Sequence, residues 1–339
     1  MKSSRITIKD IARIAEVVPS TVSAVLNGKE KSARISSALS DKIKKIADDM
    51  GYQPNSMAVS LRTGKSRIIG LIVENISNPF FALLAKELED EIYKYHYRIL
   101  YCSTENNDEK GAGQIKMLYN RQADGFIIAP SSGMNKSIKQ LMQTKVPIVL
   151  IDRYFPELEV ASTLVDNYKG VELGMKHLIE KGYKNIGFIS VDINQAHMTE
   201  REIAYRNELE LAGIKPNEKF QLKINYTIEN KKEAIKKFLK ENSALDAVFF
   251  ATNYLCIAGL EAIADLEIQI PTQLAVICFD DHDLFHLFSP KITAVSQPIA
   301  EIAKSAVKLL VNQFDTKKYP VRSKEQILLA PKLIVRASS

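Results

Sequence analysis

Cysteine and long hydrophobic runs are scarce in this sequence of 339 residues. The three cysteines, Cys102, Cys256 and Cys278, are widely spaced and lie in or beside apolar segments, a pattern typical of packed thiols rather than of a disulfide framework or a zinc site. No apolar run reaches the roughly 18 to 20 residues that a membrane-spanning helix needs, and the first residues lack the apolar core of a secretory signal. These absences predict a globular cytoplasmic protein without a membrane partner.

Motifs of enzymes and of cofactor sites are missing as well. The sequence contains no G-x-S-x-G, dinucleotide fingerprint or paired-cysteine motif, and the TGKS of residues 63–66 lacks the first glycine of a phosphate-binding loop. His282 and His286 have the spacing of metal ligands on a helix but no evident third ligand. Asp280 and Asp281 are adjacent, so on a strand their side chains point to opposite faces and cannot form a catalytic dyad. We therefore expect no catalytic residue, no metal and no cofactor.

The excess of basic over acidic residues is confined to the first fifth of the chain. Residues 1–66 contain twelve Lys and Arg against six Asp and Glu, whereas residues 67–339 are balanced, so this segment accounts for the whole net charge of +6. A solvated lysine-rich terminus is the simplest explanation. Because the same residues carry a compact helical pattern, a polyanion partner is the stronger one.

Residues 1–53 predict a small helical domain. Helices are expected over 8–15, 19–26 and 37–50, and the short link between the first two indicates a helix-turn-helix. Its predicted core comprises Ile11, Ile14, Val22, Val25, Leu26, Ile35, Leu39, Ile43, Ile46 and Ala47. Residues 54–66 are expected to form a short hinge helix and a polar linker.

From residue 67 onward, apolar runs alternate with helical patterns in two successive series. This alternation predicts an α/β fold of parallel sheets flanked by helices, arranged as two similar lobes. We expect one lobe to contain residues 67–160 and 292–322, and the other to contain residues 161–291 and 323–339. A ligand cleft is expected between them, at the carboxyl ends of the strands.

Three segments together resemble the lactose repressor (LacI/GalR) family of bacterial transcription regulators: TIKDIARIAEVVPSTVSAVLNG, GYQPNSMAVSLRTGKS and FDDHDLFHLFSPKITAVSQP. They occur in the family's order and span essentially the whole chain. The resemblance implies a helix-turn-helix domain, a hinge helix and a core like that of periplasmic sugar-binding proteins. It also implies a repressor that binds double-stranded operator DNA as a homodimer, under the control of a small effector in the cleft between the lobes.

The resemblance assigns DNA contacts residue by residue. Base-facing and adjacent sites match Pro19, Ser20, Ser23 and Ala24, and sites near the phosphates match Thr7 and Asn27. Lys9 and Thr21 are further candidates for contacts to the DNA backbone, and the loop that contains Lys29 and Arg34 is expected to neutralise phosphates because of its charge. Asn55, Ala58 and Leu61 are expected along one face of the short hinge helix. Leu61 matches the leucine that a dimer inserts into the minor groove.

Three positions depart from the family pattern. Ala24 stands where an arginine or another large base-reading side chain is common, so one strong direct contact is absent. Val18 replaces the usual serine N-cap, at a cost of about 1 kcal/mol of helix stability. Glu16 occupies a turn position usually held by glycine, which predicts a strained turn.

The resemblance also locates an effector site at the strand ends. The matching residues are Asn78, Phe80, Phe81, Ser131, Asp152, His197, Arg201, Phe249, Thr252, Asn253 and Asp280. An arginine and two carboxylates that converge on a cleft suit a carbohydrate, whose vicinal hydroxyls they can bind, better than an apolar ligand. The alternative interpretation is a cytosolic sugar-binding or sugar-processing protein with a fortuitous basic helical extension.

Overall fold

The computed structural model describes residues 6–54, 60, 63–193, 195–225, 230–315 and 324–339. The chain forms two compact units, Met1–Ser66 and Arg67–Ser339, which we call the head and the core unit. Within the described ranges, no helix combines the length and apolar character needed to cross a membrane.

Three helices build the head: α1 (Ile8–Ala15), α2 (Pro19–Leu26) and α3 (Ser37–Asp49). Thr7 begins α1 with a reciprocal capping box that includes Asp10, and the Ser36 hydroxyl accepts a hydrogen bond from the backbone amide of Leu39 at the start of α3. Val18 precedes α2 and offers no side-chain cap, as the sequence predicts. Helix α2 is therefore the least well capped helix of the three.

Apolar side chains from all three helices close the head's core. Ile11, Val22, Val25 and Ile43 have almost no exposed surface, and the other predicted core residues pack against them with one exception. Ile14 is 48% exposed, so its assignment to the core was wrong. The buried stripe of α1 is set by Ile11 and the alanines beside it, and Ile14 falls outside that stripe.

The turn between α1 and α2 requires a left-handed residue. Glu16 has φ 60° and ψ 41°, and its amide donates to the Ala12 carbonyl oxygen. A side chain with a Cβ in this conformation costs about 1 kcal/mol or more. The strained turn expected from the sequence is therefore present.

The core unit contains twelve strands among its described residues: β1 (Ile68–Val73), β2 (Arg98–Ser103), β3 (Gly125–Ile128), β4 (Ile148–Ile151), β5 (Ala161–Val165), β6 (Ile186–Val191), β7 (Gln221–Ile224), β8 (Ala247–Phe250), β9 (Ala275–Phe279), β10 (Thr293–Ser296), β11 (Gln326–Leu329) and β12 (Lys332–Ile334). The helices between them are α4 (Pro79–Tyr93), α5 (Asp108–Asn120), α6 (Asn135–Gln143), α7 (Asn167–Glu180), α8 (Ala196–Leu211), a 3₁₀ turn at Glu218–Phe220, α9 (Lys231–Glu241), α10 (Asn253–Asp265), α11 (Asp283–Leu287) and α12 (Ile299–Asn312).

These strands form two six-stranded sheets with the same layout. The strand order is β11-β5-β4-β3-β1-β2 in the first sheet and β12-β10-β9-β8-β6-β7 in the second. All pairs are parallel except β10 with β12, which are antiparallel. The predicted fold class, parallel sheets flanked by helices in two lobes, is confirmed.

Strand pairing corrects the predicted lobe boundaries. We call the first sheet with its helices the first lobe and the second sheet with its helices the second lobe. β5 and β11 pair within the first sheet, whereas β10 pairs within the second. Each was expected in the other lobe, because apolar runs in the sequence do not reveal which neighbour a strand pairs with. The chain passes between lobes after β5, after β10 and between β11 and β12.

The uncapped start of α2 yields a stability prediction. Replacing Val18 with Ser supplies a hydroxyl that can accept from the Thr21 amide, and should stabilise α2 by about 1 kcal/mol over the Val18→Ala control. Hydrogen exchange of the α2 amides in the full-length protein measures this difference. Equal protection in the two variants would contradict it.

Candidate functional site

The outward face of α2 is one candidate surface. Val22 and Val25 are buried, while Ser20 is exposed and Ser23 and Ala24 are half-buried on the opposite side. Pro19 occupies the first helical turn, where its missing N–H has no intrahelical partner in any case. The helix thus presents small side chains on the face that its core contacts leave bare.

Two predicted DNA-contacting side chains already bond within the head. The Thr7 hydroxyl donates to Asp10 Oδ2 at 2.7 Å, and this hydrogen bond lowers the pKa of the Asp10 carboxyl. The Asn27 side-chain amide donates to the Ser23 carbonyl oxygen at 2.6 Å. Both side chains therefore contribute to the ends of the head's own helices.

The remaining predicted contacts of the head are distributed around α2. Lys9, Lys29 and Arg34 are exposed, and Thr21 is half-buried at the start of the helix. Asn55, Ala58 and Leu61, which the resemblance assigns to the hinge, lie outside the described residues.

A second candidate site is a cleft between the two lobes of the core unit. Its walls are formed where strands end and helices begin, and both lobes contribute. The lining residues are Glu74, Asn78, Phe80, Phe81, Asp152, Arg153, Ile193, His197, Met198, Arg201, Thr252, Tyr254, Asp280 and Gln297.

Two carboxylates occupy equivalent positions in the two lobes. Asp152 follows β4 and Asp280 follows β9, the fourth strand of each series. Both have a left-handed backbone, with φ 65° and φ 74°. The Asp152 amide donates to the Thr163 carbonyl oxygen and the Asp280 amide donates to that of Val295, on the next strand of each sheet. The repeated turn directs a carboxylate from each lobe to the cleft.

Arg201 extends from α8 into the second lobe's half of the cleft. Its guanidinium donates to Asn167 Oδ1 at 2.9 Å and to the Ala251 carbonyl oxygen at 2.5 Å, and it lies 3.4 Å from the centre of the Phe279 ring. Nη1 is 3.9 Å from Asp280 Oδ2. The side chain is 2% exposed, so these contacts hold a buried cation in a fixed orientation.

Arg153 is a site residue that the sequence reasoning missed. Its guanidinium forms an ion pair with Glu74, lies 3.1 Å from Asp152 Oδ2 and donates to Asn106 Oδ1 at 2.8 Å. Gln297, also missed, donates to Asp280 Oδ1 at 2.5 Å. The sequence signal for Arg153 was its position directly after an apolar strand and Asp152. A buried arginine at such a position requires ionic partners.

Burial governs the charges in the cleft. It raises the pKa of Asp152 and of Asp280, with Arg153 and Arg201 opposing the rise at Asp152 and Arg201 opposing it at Asp280. Burial also lowers the pKa of Arg201, whereas at Arg153 the carboxylates of Glu74 and Asp152 outweigh burial and the pKa is raised.

His197 is a neutral member of the cleft. Burial, and then the positive charges of Arg153 and Arg201, hold the pKa of the imidazole well below its usual range. Among the described residues, His197 Nδ1 and Thr252 Oγ1 are buried without a hydrogen-bond partner. Two uncharged polar groups are therefore available to a polar ligand in this cleft.

Three other predicted effector residues are placed differently. The Asn253 side-chain amide donates to Asn78 Oδ1 at 3.3 Å and so joins the lobes at the adjoining cleft mouth. The Ser131 hydroxyl donates to Asp108 Oδ1 at 2.5 Å and does not line the cleft. Phe249 has no exposed surface and packs beside Phe188 in the core of the second lobe. Neither Ser131 nor Phe249 lines this cleft, since a strand end alone does not show which way a side chain points.

Asp281 has its partners away from Asp280, although both residues follow β9 and neither belongs to a strand. Its two oxygens accept from Arg336 at 2.9 and 2.6 Å, and His286 lies 3.6 Å away. His282 Nδ1 accepts from the Leu284 amide at the start of α11. Throughout the described ranges, no group of three or more His, Cys, Asp or Glu side chains is arranged to hold a metal ion.

The contacts of Arg201 predict a large contribution to stability. Arg201→Ala leaves Asn167 Oδ1, the Ala251 carbonyl oxygen and Asp280 without their buried cation, so the free energy of unfolding of the core unit should fall by about 3 kcal/mol or more. Arg206, on the same helix, pairs with glutamates near the surface, and Arg206→Ala should cost less than about 1 kcal/mol. Urea unfolding followed by circular dichroism measures both, and similar losses would contradict the prediction.

Two family models match parts of the head and of the core unit. Residues 7–55 match the model of bacterial regulatory proteins of the lacI family, and residues 175–339 match a periplasmic binding protein-like domain. The regulator DegA of Bacillus subtilis is 30% identical over 336 residues, which cover 98% of each chain. The ribose operon repressor of Haemophilus influenzae is 29% identical over 332 residues, again 98% of each chain.

Two solved structures share the fold over almost the whole chain. The lac repressor dimer bound to operator and an anti-inducer has a TM-score of 0.85 at 18% identity, with 99% of each chain covered. The regulator CelR in complex with cellobiose has a TM-score of 0.72 at 24% identity, with 99% of this chain and 100% of that chain covered. With a helix-turn-helix head, a two-lobed core and a full-length relative at 30% identity, this chain belongs to the lacI family of bacterial transcription regulators.

Proposed function

We propose that the protein is a repressor whose head binds operator DNA and whose cleft binds a carbohydrate that controls this binding. The head supplies the positive charge, since its Lys and Arg exceed its Asp and Glu by six while the core unit is neutral. Exposed Lys9, Lys29 and Arg34 can neutralise phosphates and fix the orientation of α2. In a helix-turn-helix, the N-terminal residues of the second helix contact base edges in the major groove.

The paired carboxylates carry the proposal of a carbohydrate effector. Asp152 and Asp280 bring one carboxylate from each lobe to a single cleft, and Arg201 adds a fixed fork of donors. Carboxylates accept hydrogen bonds from neighbouring hydroxyls, and a neutral His197 can serve as donor or acceptor. The ring of Phe80, which is 8% exposed, lines the cleft and offers an apolar edge to a sugar. The names of two similar proteins, the ribose operon repressor and CelR in complex with cellobiose, refer to sugars.

A ligand that contacts both lobes can control their relative orientation. The Asn253–Asn78 hydrogen bond already joins the lobes, and Gln297, which bonds Asp280, directly precedes the passage of the chain from β10 to α12. A carbohydrate bound to Asp152 and Asp280 favours the lobe orientation in which both contacts fit. We propose that this preference is transmitted to the head with a coupling of about 1 to 3 kcal/mol.

We further propose that the protein acts as a homodimer and binds its effector without turnover. Exposed apolar side chains on α4 and β2, including Leu83, Leu100 and Tyr101, offer a surface on the first lobe for a second copy. The full-length relatives are transcription regulators. A sugar-processing activity remains the competing function, and product formation from a bound sugar would support it.

The cleft carboxylates predict a difference between two neighbouring residues. Asp280→Asn should weaken binding of the carbohydrate at least tenfold, because it removes a charged acceptor that faces Arg201. Asp281→Asn is the matched control and should leave affinity within twofold, since Asp281 faces Arg336 instead. Titration calorimetry with the best ligand from a mono- and disaccharide thermal-shift panel measures both. Equal effects would contradict the assignment of Asp280.

Separation of the two units tests the regulator function. Residues 67–339 should keep carbohydrate affinity within about twofold but lose operator binding, because the excess positive charge and α2 belong to the head. The measurement is binding to a duplex that the full-length protein has selected from random sequence. Selective DNA binding by residues 67–339, or failure of the full-length protein to prefer any duplex, would refute the proposed function.

A further inference from the structure

The recognition helix has no side chain that can form two parallel hydrogen bonds to one base. The residues of α2 are PSTVSAVL, without Arg, Lys, Gln, Asn, Asp or Glu. Specific readout in the major groove most often uses Arg or Lys on guanine, or Asn or Gln on adenine. These pairings are therefore not available from α2 itself.

The amide nearest to α2 is engaged elsewhere. Asn27 follows the last residue of the helix, and its Nδ2 donates to the Ser23 carbonyl oxygen at 2.6 Å, with Ser23 Oγ at 3.3 Å. It lies at the C-terminal end, whereas the N-terminal end of a recognition helix meets the bases. Asn27 thus contributes to helix termination rather than to base readout.

The outward face retains two kinds of chemistry. Ser20 and Ser23 have hydroxyls that can donate or accept, so they discriminate weakly between bases. Pro19 is exposed, Ala24 is partly exposed, and Val18 is 61% exposed just before the helix. Val18 and Pro19 make the N-terminal end of α2 largely apolar, and Ala24 adds a methyl group in the second turn. Among the four bases, thymine alone presents an apolar group, its 5-methyl, in the major groove.

We propose that α2 reads its operator through thymine 5-methyl groups, with Pro19 and Ala24 as the specificity-determining contacts. This inference rests on the proposed DNA-binding function and adds the chemistry of the sequence that is read. The charged residues Lys9, Lys29 and Arg34 lie outside α2 and hold the backbone, so they supply affinity without sequence preference. Each half-site consequently carries thymines beneath the first two turns of α2.

Removal of single methyl groups tests the proposal directly. The probe is the duplex that the full-length protein enriches from random sequence, with one thymine at a time replaced by deoxyuridine, which keeps every hydrogen-bonding group. The affinity of the protein for the duplex should fall about fourfold when a contacted thymine is replaced in this way. Changing such a thymine to cytosine should lower the affinity. Replacing that cytosine with 5-methylcytosine should then recover part of the lost affinity. Insensitivity to deoxyuridine at every thymine would overturn the inference.

Variants of Ala24 identify the contacting residue. Ala24→Arg should replace the thymine-methyl dependence at one position with a guanine preference of about tenfold, because arginine can bond guanine O6 and N7. Ala24→Ser should lose the methyl dependence at that position without gaining the guanine preference. Circular dichroism checks that both heads remain helical. An unchanged deoxyuridine profile in both variants would exclude Ala24.

Selection by the full-length protein separates the two hypotheses. If no duplex is enriched, the proposed DNA-binding function fails and the inference fails with it. If a duplex is enriched and its recognition depends on guanine or adenine contacts beneath α2, the DNA-binding function stands and the thymine-methyl readout is refuted.

Discussion

Two carboxylates that are nearly buried, and the arginines beside them, constrain the core unit. Asp152 and Asp280 stand at equivalent strand ends, each on a left-handed backbone, and burial works against the charge of both. Arg153 in the first lobe and Arg201 in the second offset that cost through ion pairs and directed hydrogen bonds. A ligand with several hydroxyls can add the hydrogen bonds that this cluster still accepts. This chemistry supports the proposed carbohydrate effector, which would contact residues of both lobes.

The head follows a different physical principle. Its stability comes from a small apolar core around Ile11, Val22 and Ile43, and two of its local features work against that stability. Glu16 occupies a left-handed turn and Val18 begins α2 without a cap. Val18 directly precedes α2 and Glu16 lies in the turn before it, so both unfavourable features lie on the N-terminal side of the helix that we propose contacts DNA. Local departures from ideal helix chemistry are expected at functional sites, where the sequence serves binding as well as folding.

Much of the fold and part of the site could be predicted from the sequence. The helices of the head follow from apolar periodicity and from Pro19, and the two sheets follow from strand–helix alternation. The cleft positions of Asp152, Arg201 and Asp280 were expected from their resemblance to family positions, and the structure brings all three to one cavity. The sheet partners of β5, β10 and β11 could not be predicted, since pairing joins residues far apart in the chain.

The local sequence pattern also could not predict the direction in which each side chain points. Phe249 lies near the end of β8 and Thr252 follows that strand, yet Phe249 packs in the core while Thr252 lines the cleft. Arg153 was overlooked because its partner Glu74 is distant in sequence. The sequence by itself determined the charge division between head and core unit, the type and order of the elements and the short side chains on the outward face of α2, because these depend on composition and short-range periodicity. Only the tertiary structure decided which charges meet in the cleft, because burial and ion pairing arise when distant strand ends come together.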